Sequence, residues 1–97
     1  MLLTSTKKII ERFRLSQGGL IGSILDIRVL IKRALDRMAA GIILVHNHPS
    51  GSAMPSQEGD LNTKRAKQAA NFFDIRLLDH VIITDGECYS FAEQNML

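Results

Sequence analysis

The run Gly41-Ile42-Ile43-Leu44-Val45 contains no polar side chain and stops abruptly at His46-Asn47-His48-Pro49. It is too short for a buried helix, rich in β-branched residues, and bounded by a glycine and a turn signal, so it reads as a strand. A strand without alternating polar residues is buried on both faces, and that situation arises in parallel or mixed sheets packed against helices. The run therefore predicts an α/β fold in which Ile42 to His46 is a central strand covered on both sides.

The flanking sequence supplies the covering elements. From Ile27 to about Ala40, apolar residues Ile27, Leu30, Ile31, Ala34, Leu35 and Met38 recur at helical spacing, with Asp26 placed to cap the helix and Gly41 to end it. Arg28, Lys32, Arg33, Asp36 and Arg37 fall on the outer face, which is most simply a solvated surface. Leu61 to Phe73 predicts a second helix with Leu61, Ala66, Ala69, Ala70 and Phe73 inward. Further strands are predicted at Ile9 to Leu15, at Ile75 to Thr84, and at Cys88 to Phe91 after the Asp85-Gly86 turn. Leu2-Leu3 reads as a strand stub, Leu20 to Leu25 as an irregular strand, and Ala92 to Leu97 as a terminal turn or helix. The order β-β-β-α-β-α-β-β describes one domain over residues 1–97: a mixed sheet flanked by helices.

The chemistry concentrates in His46 to Asp60, HNHPSGSAMPSQEGD. Alternate residues of a strand share a face, so His46 and His48 project together and Asn47 points away. Two imidazoles at a strand end, with a carboxylate returning soon after, are the parts of a zinc site that keeps a position open for water. Each part has a plainer reading. His-x-His alone is weak, Asp60 suits the first turn of a helix, and the Pro, Ser and Gly residues announce only a loop. Asp79 and His80 are neighbours on a strand and face opposite ways; His80 is read as a hydrogen-bonded histidine of the core, or one that supports a metal ligand from behind, rather than a ligand itself. The letters HNH do not make a nuclease, because those enzymes spread the three residues over a ββα unit.

HNHPSG, followed by Pro55-Ser56, an acid and LLDHVII, resembles the RadC family of JAB/MPN (JAMM) metalloprotease-like domains, over nearly the whole chain from about Ile9. The resemblance implies the JAB/MPN (cytidine-deaminase-like) architecture, a Zn2+ cofactor, and metal-dependent hydrolysis of peptide or isopeptide bonds. The family pattern is His-x-His, seven residues, Ser, two residues, Asp, with a Glu far upstream. His46, His48 and Ser56 match it. The resemblance assigns the metal to His46, His48 and Asp60, and hydrogen bonding to the oxyanion to Ser56.

The sequence departs from that pattern twice. Gln57, Glu58 and Gly59 separate Ser56 from Asp60, one residue more than expected. Gly59 stands at the expected ligand spacing and has no side chain to bind metal. On a helix, i+3 and i+4 lie on the same face as i, so Asp60 can take that place. The upstream Glu is the second departure. It serves as general base on a strand preceding the first hairpin, and the chain opens at Met1-Leu2-Leu3, past that point. Glu11 is the sole acid before Asp26. It shares a strand face with Ile9, Phe13 and Leu15, but its simpler role is a charge on an edge strand. Two functions follow: a zinc hydrolase completed by a Glu from a longer chain, or an inactive JAB/MPN binding or scaffold module.

Composition narrows the partners. Of 97 residues, 45% are hydrophobic and 23% charged, which is ordinary for a globular domain. The net charge of +2 is too small to argue nucleic-acid binding, so the DNA-repair label that RadC proteins carry gains no support from it. One cysteine, Cys88, excludes an intrachain disulfide and fits a reducing compartment. No apolar run approaches a membrane span, and Lys7 and Lys8 follow the first apolar residues, the reverse of a secretory signal. The expectation is a cytoplasmic protein acting on a peptide or protein substrate. A sheet lacking its first strand keeps an open edge, which predicts a homodimer through that edge.

Overall fold

The computed structural model describes residues 1–15, 26–47 and 57–97. Five strands, β1 (Leu2–Leu3), β2 (Ile9–Glu11), β3 (Gly41–Asn47), β4 (Arg76–Ile83) and β5 (Cys88–Ser90), form one sheet in the order β2-β1-β3-β4-β5. β3 and β4 pair in parallel and every other pair is antiparallel, so the sheet is mixed, as the apolar run predicts. Two helices, α1 (Ile27–Asp36) and α2 (Gln57–Phe72), complete the fold. The irregular strand expected at Leu20 to Leu25 lies outside the described residues.

Both helices pack on one face of the sheet. Leu30, Ile31 and Ala34 of α1 and Ala66 and Ala70 of α2 share a core with Leu2, Ile42, Leu44 and Leu77 of the strands. Each buried Leu or Ile there contributes about 1.5–3 kcal/mol. The other face is less covered than predicted: Ile43 is half-buried, Val45 is 53% exposed and Ile83 is 42% exposed. β3 is central in the sheet but buried on one side. Its apolar pattern reflects a position between two strands rather than between two layers of helix.

α1 starts as its sequence dictates, with the Asp26 carboxylate accepting the backbone N–H groups of Arg28 and Val29. It ends four residues before the expected Ala40. Arg37 caps it, and Met38 adopts the left-handed conformation at φ 50°. The Ala39 N–H then reaches the Ala34 carbonyl at 2.9 Å and the Met38 N–H reaches that of Leu35 at 3.1 Å. These two bonds are the Schellman closure, usually built on glycine. α2 closes the same way around Asp74 at φ 58°, with Ile75 bonded to Ala70 and Asp74 to Asn71. A third copy follows Phe91, with Asn95 at φ 57°. Ala39 and Ile75, the residues after the first two turns, are buried and lead into the parallel strands.

Early closure changes which side chains face inward. Met38 is 85% exposed and Leu35 40% exposed, against expectation, because α1 has turned out of its helical phase or sits at its rim there. In α2, which begins at Gln57 and not at Leu61, Leu61 and Phe73 are 58% and 47% exposed. Thr63 is buried in their stead at 1% exposure. β2 stops at Glu11, short of the predicted Leu15.

Gly41 does not end the helix. It opens β3, and a Cβ on it would stand 2.8 Å from Leu78 Cδ1. Leu78 is the extra residue of β4: Ile42 pairs with Leu77, but Ile43 pairs with Asp79. The bulge reverses the facing of everything after it. Leu77 and His80 both face the helices, and Asp79 faces away. On that side Asp79 accepts hydrogen bonds from Ser90 Oγ at 2.6 Å and from the Ala92 N–H at 3.0 Å, tying down the C-terminal turn. Among the described residues, no helix is long and apolar enough to cross a membrane.

Two substitutions test these local arguments by urea unfolding. Met38→Gly removes left-handed strain worth about 1 kcal/mol and should raise stability by most of that amount. Gly41→Val forces a side chain against the Leu78 bulge and should lower stability by about 1–3 kcal/mol.

Candidate metal centre

The C-terminal end of β3 places His46 on the helix-bearing face, paired in register with buried Ile82 of β4. The β4 bulge brings His80 to the same face. Its ring stacks on that of His46, with centroids 6.1 Å apart and planes 9° from parallel. On its other side His80 stacks on Phe91, at 4.7 Å and 11°. Three flat rings from β3, β4 and the turn after β5 form a column beneath α2. Phe91 is completely buried and His80 is 7% exposed.

α2 meets this column through Thr63. Its hydroxyl donates to the Gly59 carbonyl at 2.8 Å and lies 2.6 Å from His80 Nδ1. A hydroxyl carries one hydrogen. With that hydrogen on Gly59 the ring donates from Nδ1 to Thr63, and with it on Nδ1 the ring accepts; the 2.6 Å contact forms with either tautomer. His80 is therefore the buried, hydrogen-bonded histidine expected from its position. Thr63, unremarked in the sequence, is its partner. The available signal was spacing: Thr63 follows Asp60 by three residues and shares its helical face.

Asp60 sits in the first turn of α2, half-buried. Lys64 Nζ lies 3.2 Å from Oδ2, an ordinary i,i+4 pair. Oδ1 is different: it is buried and has no hydrogen-bond partner among the described residues. A buried carboxylate oxygen left bare is costly unless a cation or a donor meets it. His48 and Ser56 lie outside the described residues. Among those described, no three His, Cys, Asp or Glu side chains gather as a metal-binding group.

Glu11 is placed far from this end of the sheet. It pairs with Leu2, which pairs with Ile42, four residues before His46. That spacing is roughly 13 Å along β3. The Glu11 carboxylate lies 3.7 Å from Arg33 Nε and 3.6 Å from Arg37 Nε. Arg33 also covers the Phe13 ring at 4.6 Å. Glu11 thus clamps the edge strand to α1 and does not serve as a base for the histidines.

A family profile described as RadC-like JAB domain matches residues 1–96. The chain belongs to the RadC family. A UPF0758 protein of Flavobacterium johnsoniae is 42% identical to this RadC chain over 96 residues, covering 99% of the chain and 42% of the relative. A UPF0758 protein of Pelobacter propionicus is 45% identical over 97 residues, covering all of the chain and 42% of the relative. A UPF0758 protein of Haemophilus influenzae is 42% identical over 97 residues, covering all of the chain and 44% of the relative. The RadC chain therefore spans less than half the length of these curated relatives. Its α/β fold, a mixed sheet with two helices, is consistent with a JAB domain.

The Glu11 assignment is open to a direct check. Glu11→Gln should lower stability by about 0.5–1 kcal/mol, the worth of a partly exposed ion pair.

Proposed function

We propose that this domain is the zinc centre of a JAMM-type amide hydrolase, with a peptide or isopeptide substrate. The observation that carries the proposal is the buried Oδ1 of Asp60, which has no hydrogen-bond partner among the described residues and lies one turn before Thr63, the residue that bonds His80. An orphaned carboxylate oxygen on that helix turn suits a divalent cation, and His/Asp donors suit zinc. His46, His48 and Asp60 would hold it. When bound, the ion supplies a water whose pKa is lowered towards neutrality.

The protein's own groups do the rest. Ser56, immediately before α2, donates a hydrogen bond to the substrate carbonyl oxygen as negative charge develops there, a contribution of about 3 kcal/mol. His80 and Thr63 hold the rings and the helix turn in place. The proton of the attacking water requires a general base. Glu11 and Asp79 are committed elsewhere, to Arg33 and Arg37 and to Ser90 and Ala92. In this reading the base comes from sequence beyond these residues.

The same observation on Glu11 favours a second reading, a metal-holding binding or scaffold module without hydrolytic activity. Metal titration and a peptide assay separate the two. The chain should bind one equivalent of Zn2+, and Asp60→Ala should weaken binding by about 100-fold or more, beyond the effect typical of a supporting residue. Wild-type affinity no better than that of Asp60→Ala removes the metal centre altogether. With zinc bound, hydrolysis of a quenched fluorescent peptide that accelerates when formate is added as an external base supports the hydrolase. Zinc binding with no hydrolysis, formate or not, supports the scaffold.

A further inference from the structure

We propose that His80 is a positioning residue for the metal centre: locked by Thr63 and stacked on His46, it fixes the distance between the His46 ring and the turn of α2 that carries Asp60. The inference rests on the reading of His46 and Asp60 as zinc ligands, and concerns a pair, His80 and Thr63, that takes no ligand role in that reading.

The geometry supplies a continuous connection. His46 belongs to β3 and Asp60 to α2. Two non-covalent links join these elements. Thr63 Oγ1 bonds at once to the carbonyl of Gly59, the residue before Asp60, and to His80 Nδ1. His80 then lies parallel to His46, with centroids 6.1 Å apart. Phe91, fully buried, backs His80 from the far side and holds its ring plane. Such support matters because a metal site tolerates small errors of ligand position poorly. Two features would not be needed by a purely packed core. The position taken by Thr63 is 1% exposed yet polar, and β4 carries a bulge without which His80 would face the opposite side of the sheet. An apolar pair would fill the same volume without the hydrogen bond.

The hydroxyl is therefore expected to affect metal affinity separately from folding. Thr63→Val keeps the shape and removes the bond. Thr63→Ser keeps the bond and removes a methyl group. Zn2+ affinity is measured by competition with a chromophoric chelator, under conditions where circular dichroism shows each variant folded. Urea unfolding of the metal-free proteins is measured in parallel. Thr63→Val should bind Zn2+ about 10- to 100-fold more weakly, the range typical of residues that orient a ligand. Thr63→Ser should stay within about threefold of wild type, although its metal-free form is less stable. A folded Thr63→Val with wild-type affinity overturns the proposal. So does a Thr63→Ser as weak as Thr63→Val. A measurement on the wild type stands apart from whether variants fold: the proton shared by Thr63 and His80 Nδ1 should be protected from exchange and visible by NMR with and without Zn2+. A rapidly exchanging proton there would falsify the proposed lock. Should the wild-type chain bind no Zn2+ while that proton is protected, the metal reading fails and the lock is merely structural.

Discussion

The parallel pairing of β3 with β4, broken by one extra residue, is the constraint from which the rest of this structure follows. Before the break Ile42 sits beside Leu77; after it Ile43 sits beside Asp79. The side-chain period of a strand is two, so a single inserted residue exchanges the faces of everything downstream. It sends His80 to the helices and Asp79 to the opposite side. Gly41 leaves room for the Leu78 side chain, whose Cδ1 would stand 2.8 Å from a Cβ at that position.

Helix endings impose the second constraint. Three segments close with the same pair of backbone bonds around a left-handed residue, and none of the three is glycine. Asn and Asp tolerate that conformation through local hydrogen bonding, whereas Met does so at a cost. In the first two cases the closure delivers a buried residue, Ala39 or Ile75, at the entrance to a parallel strand. The repetition gives β3 and β4 equivalent starting points and so helps to set their register.

Much of this was legible in the sequence, and the failures have physical causes. The apolar run identified β3, Asp26 announced the start of α1, and Asp85-Gly86 marked the turn into β5, where Gly86 takes φ 91°. These are local signals, each written in a few adjacent residues. The bulge could not be read, because it depends on how Leu78 meets Gly41 across 37 residues of chain. Met38 could not be read as a left-handed residue because its type disfavours that role and tertiary packing overrides it. Leu61 and Phe73 fit a helical stripe by period, but α2 spends its buried face on Thr63, Ala66 and Ala70. At the site, the histidines and Asp60 were visible as types at a spacing. The hydroxyl that ties α2 to β4 was not, since threonine in a helix ordinarily bonds within its own turn.

The column of three rings has a consequence for observing the protein. Phe91 lies parallel to His80 at 4.7 Å, so the hydrogens of that imidazole sit in the shielding cone of a benzene ring. Ring-current shielding by Phe91 should move their resonances upfield. The histidine between β3 and the C-terminal turn thus carries its own reporter. A change in its stacking is visible in a one-dimensional proton spectrum of the unmodified chain.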